Sequence, residues 1–216
     1  MVLKNFPLLS IIYLVIKKGG IFTINDIKEL LKKPLVREIL DWTFHMLLAV
    51  VIGVLIVNYV FQITIVNGNS MEKYLHHGNR LIVEKFIYKM NGLKRGEIVI
   101  INKPRDIENE RTPIIKRVIA LEGDVIEIKD GNVYVNNEKI DEPYINGTET
   151  YAIVPEYQSL VVPQGHVYVL GDNRMPNESL DSRIFGPVSL KKVEGRAVLR
   201  FYPFGQFGKV TPGQTE

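Results

Sequence analysis

The pattern of hydrophobic and polar residues shows one long stretch without charge in the first third of the chain. No Asp, Glu, Lys or Arg occurs over residues 42–71, and nearly every residue is apolar in MLLAVVIGVLIVNYVFQITIV (46–66). A helix of about 20 apolar residues crosses a bilayer. A buried helix of a soluble protein is the alternative, but such helices rarely run this far without a charge. The pattern therefore predicts a transmembrane helix over residues 42–66.

Residues 1–41 precede this helix, and we interpret them as a cytoplasmic segment with short helices. The apolar stretch FPLLSIIYLVI (6–16) is too short to cross a membrane unaided. No small-x-small cleavage pattern follows it, which argues against a cleaved signal peptide. A second short helix is predicted in NDIKELLKKP (25–34), where Asn25 caps the start and Pro34 ends the helix.

Charges on either side of the apolar run predict its orientation in the membrane. Only Lys73 follows closely after the run, whereas four basic residues lie just before it, namely Lys28, Lys32, Lys33 and Arg37. Cytoplasmic flanks carry the excess of Lys and Arg. We therefore predict a single-pass protein of the cell membrane with its N-terminus inside and residues 67–216 outside.

After Ser70 the pattern changes to short runs rich in Val, Ile and Tyr, separated by Gly, Pro and Asn, which is typical of strands. The predicted runs are RLIVEKFI (80–87), EIVIIN (97–102), PIIKRVIAL (113–121), DVIEIKDGNVYVNNEKI (124–140), SLVV (159–162), HVYVLGD (166–172) and EGRAVLRFY (194–202). The fold class is therefore mainly β: an antiparallel β domain over residues 67–216, preceded by one transmembrane helix.

Two segments add detail to this domain. Asp130 and Gly131 stand between two alternating runs and predict a hairpin with a type I′ turn or a close relative. Residues 136–158 are more polar and irregular, and they predict a β-rich insertion or subdomain lying over the sheet, to which no chemistry is assigned. The apolar stretch FYPFGQF (201–207) either ends a core strand or rests on lipid.

Composition excludes several classes of function. With 46% hydrophobic and 24% charged residues, the 216-residue chain is typical of a globular protein. The absence of cysteine excludes disulfides, thiolate nucleophiles and cysteine-ligated zinc. No residues have metal-ligand spacing, so we predict neither a metal nor an organic cofactor. Residues 1–41 hold seven of the 27 basic and four of the 24 acidic residues, and the remainder balances. A domain without net positive charge is not expected to bind nucleic acid.

The stretch VNGNSMEKYL (66–75) places a hydroxyl, Ser70, just after the apolar run. Most serines in such places only satisfy a turn, because a serine is a weak nucleophile until a base accepts its proton. The four histidines are poor candidates for this base. His45 lies in or beside the membrane, His76 and His77 are adjacent and would face opposite ways on a strand, and His166 stands at the start of a strand.

Lysine is the alternative base, as in serine-lysine variants of the catalytic triad. On the predicted strand over 113–121, Lys116 shares a face with Ile114 and Val118, while Arg117 points to the opposite face. Burial among apolar neighbours lowers the pKa of a lysine, and only the neutral amine accepts a serine proton. The alternative is a lysine that reaches solvent from the edge of the sheet.

A third stretch, GDNRMPNESLDSRIFGPV (171–188), concentrates charge directly after a strand. Its charged residues include Asp172, Arg174, Asp181 and Arg183. Bidentate contacts between arginine and carboxylate brace the polar wall of a site, although a solvated loop has the same composition.

The chain resembles bacterial type I signal peptidases in the order of its motifs. A membrane span comes first, followed by GNSM, then KRVIALEGD, and then GDNR with DSRIFGPV. These peptidases are membrane-anchored serine-lysine proteases that remove signal peptides from exported proteins. The resemblance covers roughly residues 42–202. It implies a largely β catalytic core with a β-rich insertion, Ser70 as the acylating nucleophile and Lys116 as the general base.

The resemblance also implies supporting roles. Met71 matches the methionine after the nucleophile, and Ser179 matches the serine that orients the lysine, with Ser182 as its rival. Gly68 resembles members without a serine two positions before the nucleophile, so the oxyanion would rest on backbone N–H groups such as that of Ser70. The remaining scaffold residues are Asp172, Arg174, Asp181 and Arg183.

The chain departs from the family pattern at several positions. Lys73 and Tyr74 stand where the family usually has proline and threonine. Ala120 and Glu122 replace a glycine and a proline, and the spacing from Arg174 to Ser179 is two residues longer than the common form. These differences bear on how the substrate is handled more than on the type of reaction.

The expected reaction is attack by Ser70 on the carbonyl after a small residue, in an Ala-x-Ala type of site, followed by deacylation by water. The expected partners are preproteins that bear signal peptides and the lipid bilayer, and a monomer is expected. The alternatives are a maturase specialised for one or few substrates and an inactive membrane-anchored β scaffold. A self-cleaving repressor of related fold is disfavoured, because no DNA-binding domain is found.

Overall fold

The structure, a computed structural model, describes residues 31–102 and 113–210. The predictions for residues 6–16 and for most of the helix over 25–34 lie outside the described residues. The chain forms two compact units, Met1–Leu55 and Ile56–Glu216.

One long helix, α1 (Pro34–Leu55), is the main described element of the first unit. Lys33 forms a bend before it, and Pro34 takes the first helical position, where its missing N–H costs nothing. At about 1.5 Å per residue the helix is about 33 Å long. It is long and apolar enough to cross a membrane, and none of its residues is buried.

The predicted bounds of the helix, 42–66, are wrong at both ends, because α1 begins at Pro34 and does not reach residue 66. Helix α1 ends at Leu55, a π-helical turn covers Ile56–Val60, and Phe61–Ile65 forms strand β1, which pairs antiparallel with the next strand. An uncharged run does not by itself distinguish a helix from a strand. The alternation of Gln62 and Thr64 with isoleucine suits a strand, and pairing in the sheet decides the conformation.

Two antiparallel sheets make up the second unit. The larger sheet has the strand order β1-β2-β11-β3-β4-β9-β10, with β12 paired to β11, and the smaller has the order β7-β6-β5-β8. The bounds are β1 Phe61–Ile65, β2 Arg80–Glu84, β3 Ile98–Ile101, β4 Ile114–Ala120, β5 Val125–Lys129, β6 Asn132–Val135, β7 Glu138–Lys139, β8 Ser159–Val161, β9 His166–Leu170, β10 Val188–Ser189, β11 Val193–Tyr202 and β12 Gly208–Lys209; the short helices are α2 Ile87–Asn91 and α3 Ser182–Phe185.

The predicted fold class is confirmed, and each predicted run contains a strand. The hairpin is confirmed as well, because β5 pairs with β6 and the two turn residues, Asp130 and Gly131, have φ angles of 49° and 73°. Two successive positive φ angles define a type I′ turn. Strand propensity and turn chemistry are local signals, so these elements could be found from the sequence.

The subdomain is larger than the predicted insertion over 136–158. The smaller sheet begins at Val125 and ends at Val161, so the predicted segment holds only β7, an irregular connection and the 3-10 turn Pro155–Tyr157. The apolar residues of the smaller sheet form their own core with Tyr168 and Leu170 of the larger sheet. The subdomain therefore packs on the end of β9 that leads into residues 171–188.

A second core cluster lies beneath the segment after β1. Buried Met71 and Leu75 pack there with residues of β2 and β3, including Leu81 and Ile98. The residues on either side of Ser70 are therefore held by the core of the larger sheet.

Candidate active site

Ser70 lies in the connection from β1 to β2, which we call the β1–β2 loop (66–79). A hydrogen bond closes its base, where the Val66 N–H donates to the Asn79 carbonyl over 2.8 Å. The next side chain, Met71, is buried in the core. Ser70 is thereby held at the wall of a groove rather than in the core.

Lys116 reaches Ser70 from the middle of the larger sheet. Its strand, β4, lies between β3 and β9, and its side chain is only 2% exposed. The Lys116 Nζ lies 2.6 Å from the Ser70 Oγ. At this distance a proton passes directly between two groups. The structure therefore brings together two residues that are 46 positions apart in sequence.

A groove of about 640 Å³ contains this pair. Strands β1 and β4 both line it although three strands separate them in the sheet order, so the sheet curls around the groove. Among the described lining residues, Lys116 is the only Lys, Arg, Asp or Glu. The apolar ones are Ile65, Val66, Met71, Ile100, Pro113, Ile114 and Ile115. Such walls favour an uncharged segment of substrate.

Gly68 has a backbone conformation that a glycine adopts most readily, with a φ of +88°. Its N–H donates to the Nδ1 of His77 over 3.2 Å, so the Nδ1 is the unprotonated nitrogen of that ring in this arrangement. The bond joins the two ends of the β1–β2 loop and steadies the backbone that precedes Ser70.

The structure places the two rival serines in different surroundings. The Ser182 hydroxyl accepts the N–H of Val169 in β9 over 3.0 Å. The Ser179 hydroxyl is buried and has no hydrogen bond of standard geometry within the described residues, although it is close enough to Asp181 to lower the pKa of that carboxyl. A Cβ added to Gly171 would meet the Ser179 Oγ at 2.2 Å and the Ser70 carbonyl oxygen at 2.5 Å. Ser179 therefore lies near the backbone of Ser70, whereas Ser182 binds the backbone of β9.

Three buried arginine-carboxylate pairs involve residues of the 171–188 segment. Arg117 donates to Asp172 through Nε over 2.8 Å and Nη2 over 2.6 Å. Arg183 donates to Asp181 over 2.9 Å and 2.8 Å. Only the second pair lies wholly within residues 171–188, which the sequence singled out. The third is the pair of Arg174 with Glu142.

Asp181 is the most heavily bonded carboxylate of this group. Burial acts to raise the pKa of Asp181, but the hydrogen bonds and charge of Arg183 and the N–H of Gly171 together hold it below the ordinary value. The carboxylate also accepts the Arg183 N–H, which caps helix α3. It therefore fixes both Gly171 and the start of α3.

Residues 171–174, which we call the 171–174 loop, bridge Ser70 and the subdomain. The Asn173 N–H donates to the Ser70 carbonyl over 3.0 Å. On the other side, Asn146 N–H donates to the Asp172 carbonyl and Arg174 N–H donates to the Asn146 carbonyl. The predicted insertion, to which no chemistry was assigned, therefore supports the loop that holds Ser70.

Sequence reasoning missed the partners that pair with the predicted scaffold. Arg117 was placed on the face opposite Lys116 and given no role, although an arginine within an apolar strand signals a buried carboxylate partner. Glu142 and Thr150, which bind the Arg174 guanidinium, carry no local signal because their contacts depend on how the subdomain packs.

Comparison of the sequence with known proteins identifies the family of this chain. Residues 39–202 match the sequence model of the family described as signal peptidase, peptidase S26. A signal peptidase I of Bacillus licheniformis is 35% identical over 179 residues, which cover 80% of this chain and 93% of that protein. A probable signal peptidase I-2 of Synechocystis is 38% identical over 195 residues, which cover 88% of this chain and 86% of that protein.

A third relative, signal peptidase IB of Staphylococcus aureus, is 34% identical over 185 residues, covering 79% of this chain and 93% of that protein. The matched residues 39–202 contain Ser70, Lys116 and the whole 171–188 segment. The chain therefore belongs to the signal peptidase family, peptidase S26, and is a serine endopeptidase.

Proposed function

We propose that this serine endopeptidase removes N-terminal signal peptides from exported preproteins with Ser70 as nucleophile and Lys116 as general base. Family membership supports signal peptide removal in general terms. The observation that carries the finer assignment is the distance of 2.6 Å between the Lys116 Nζ and the Ser70 Oγ, at a lysine that is almost fully buried.

The proposed reaction has two stages. The neutral amine of Lys116 takes the Ser70 proton as the Oγ attacks the scissile carbonyl, and the resulting ammonium protonates the leaving amine when the peptide bond breaks. Water then attacks the acyl-enzyme ester, Lys116 again accepts and returns the proton, and Ser70 is regenerated. Burial of Lys116 favours the neutral amine that this sequence requires, because the ammonium form loses its hydration.

Stabilisation of the oxyanion falls to backbone N–H groups near Ser70 in this proposal. Gly68 offers no side-chain hydroxyl two positions before the nucleophile. The contacts of Met71 with the core, of Asn173 with the Ser70 carbonyl and of Gly68 with His77 keep this backbone fixed. A fixed donor stabilises developing charge without reorganising during the reaction.

Cleavage after small residues is supported by the groove. Its described walls beside Ser70 include four isoleucines, a valine and a methionine, with no carboxylate. Such walls suit short apolar side chains and disfavour charged ones.

Membrane attachment is the other part of the proposal. Helix α1 has the length and composition of a membrane span, and the basic residues before it favour a cytoplasmic N-terminus and an external peptidase domain. Phe204 and Phe207 of the second unit are 79% and 63% exposed, which suits contact with lipid.

A preprotein with an Ala-x-Ala site tests this function. The full-length protein in detergent or liposomes is incubated with the preprotein and with a matched variant whose last signal-peptide residue is bulky. We expect a new N-terminus directly after the small residue, identified by mass spectrometry, and at least a tenfold slower cut in the variant. A folded wild type that cuts neither substrate contradicts general signal peptidase activity and favours the specialised maturase, for which Lys73 and Tyr74 are the unusual residues.

A further inference from the structure

Tyr74 lies in the β1–β2 loop near two guanidinium groups. The Cζ of Arg117 lies 5.0 Å from the centroid of the Tyr74 ring, and the Cζ of Arg200 lies 5.9 Å from it. Arg200 also donates from Nη1 to the Tyr74 carbonyl over 3.0 Å. The Tyr74 N–H in turn donates to the Met71 carbonyl over 3.1 Å, within the same turn as Ser70.

Arg117 is the better placed of these two cations, because it is fully buried and every side of its guanidinium is used. Two of its nitrogens bind Asp172, and Nη1 donates to the Gly96 carbonyl over 2.7 Å. Its Cζ also lies 3.9 Å from the centroid of the Tyr144 ring in the subdomain. The guanidinium therefore has a fixed position against which an aromatic ring can be set.

Arg117 directly follows Lys116 on β4, and Tyr74 lies four residues after Ser70. The Tyr74 ring and the Arg117 guanidinium thus join the loop that carries the hydroxyl to the strand that carries the amine. The second link runs from the Ser70 carbonyl to the Asn173 N–H. The Asn173 N–H holds the turn at Ser70, and the Arg117 guanidinium holds it at Tyr74.

We propose that Tyr74 is a positioning residue whose ring, attracted to the Arg117 guanidinium, sets the distance between the Ser70 Oγ and the Lys116 Nζ. This rests on the proposed serine-lysine dyad. The attraction between a cation and the face of an aromatic ring is strongest where water is excluded, as it is at Arg117. A phenyl ring retains the attraction, whereas a leucine fills much of the space without it.

The test compares Tyr74→Phe and Tyr74→Leu with wild type in the full-length protein, using kcat and KM for preprotein cleavage. We expect Tyr74→Phe to keep kcat within about twofold, and Tyr74→Leu to lower kcat about fivefold to tenfold with little change in KM. The matched control is Tyr134→Leu, because Tyr134 lies 4.7 Å from the Lys129 Nζ in the smaller sheet, away from the groove. This control should keep wild-type kcat.

A second series covers the case in which Tyr74→Leu does not fold. Phenylalanines carrying one, two and three ring fluorines at position 74 keep the ring in place but progressively weaken its attraction for a cation. The proposal predicts a stepwise fall in kcat along the series with KM unchanged.

Several results overturn the proposal. These are an unchanged kcat in Tyr74→Leu or along the fluorinated series, a loss in Tyr74→Phe equal to that in Tyr74→Leu, or an effect on KM alone. In each case wild type and Tyr134→Leu still cleave, so the proposed function stands. Absence of cleavage by the folded wild type contradicts the proposed function and removes the role of Tyr74 with it.

Discussion

Arg117 and Asp172 form a bidentate ion pair in which both side chains are 0% exposed. The pair joins β4, directly beside Lys116, to the 171–174 loop, whose Asn173 holds the Ser70 carbonyl. The ion pair therefore links the strand that carries Lys116 to the loop that holds the Ser70 carbonyl.

Asp172→Ala leaves the Arg117 guanidinium buried without its carboxylate. Breaking a buried pair from one side costs about 3 to 5 kcal/mol, so we expect a loss of this size in the free energy of unfolding, measured by urea titration. Lys129→Ala is the control, because its pair with Glu127 is on the surface and contributes little. Equal effects of the two substitutions would contradict the role given to the buried pair.

Asp181 should make stability depend on pH in acid. Its folded pKa is lowered, so its stabilising contribution is complete above the unfolded pKa of about 3.9 and disappears as the pH falls through the folded value. We expect the difference in free energy of unfolding between wild type and Asp181→Asn to be constant from neutral pH to about pH 5 and to shrink below about pH 4. Urea titrations across this range measure it, and a difference that widens in acid would have the wrong sign.

Gly171→Ala should damage the site through crowding. The new Cβ would meet the Ser179 Oγ at 2.2 Å and the Ser70 carbonyl oxygen at 2.5 Å, so the backbone of Ser70 must move. Overpacking costs about 1 to 3 kcal/mol, and a small displacement at the reacting atoms costs about 100-fold in kcat. Gly205→Ala, which meets nothing within 4 Å, should leave the cleavage rate unchanged. The proposal of a tight fit fails if both variants cleave like wild type.

Ser179→Ala and Ser182→Ala should separate the two rival serines. Ser182→Ala leaves the Val169 N–H unsatisfied, at a cost of about 1 to 3 kcal/mol in the free energy of unfolding with kcat retained. Ser179→Ala removes a hydroxyl that lies near the Ser70 backbone, and we expect about a tenfold loss in kcat with little loss of stability. Thermal unfolding and cleavage kinetics are measured for both variants. A loss of kcat in Ser182→Ala and of stability in Ser179→Ala would assign the orienting role to Ser182.

Local chemistry explains which parts of the fold the sequence predicts. The hairpin at Asp130 and Gly131 follows from the turn residues alone, and the long strands follow from their branched side chains. Strand β1 was missed because its composition continues that of the helix. The alternation of Gln62 and Thr64 with isoleucine is a short signal, and the pairing of the strand with β2 decides its conformation.

The candidate site likewise combines residues that local motifs indicate with residues that only the folded chain brings together. Ser70 and Lys116 stand in recognisable motifs, so they could be named before their contact was seen. The partner of Arg174 is Glu142, 32 residues away in a subdomain of irregular sequence, and nothing in the local pattern indicates that pairing. Likewise, the separate places of Ser179 and Ser182 depend on how residues 171–188 fold against β9.

The most direct test of the account is preprotein cleavage by wild type, Ser70→Ala and Lys116→Met, with folding checked by circular dichroism. Methionine keeps an unbranched apolar side chain of nearly the same length and lacks the amine, so the core should remain packed. The account predicts that wild type cuts after the small residue and that both variants, although folded, lose at least about 1000-fold in kcat. A folded Ser70→Ala or Lys116→Met that retains cleavage within about tenfold of wild type would contradict the dyad.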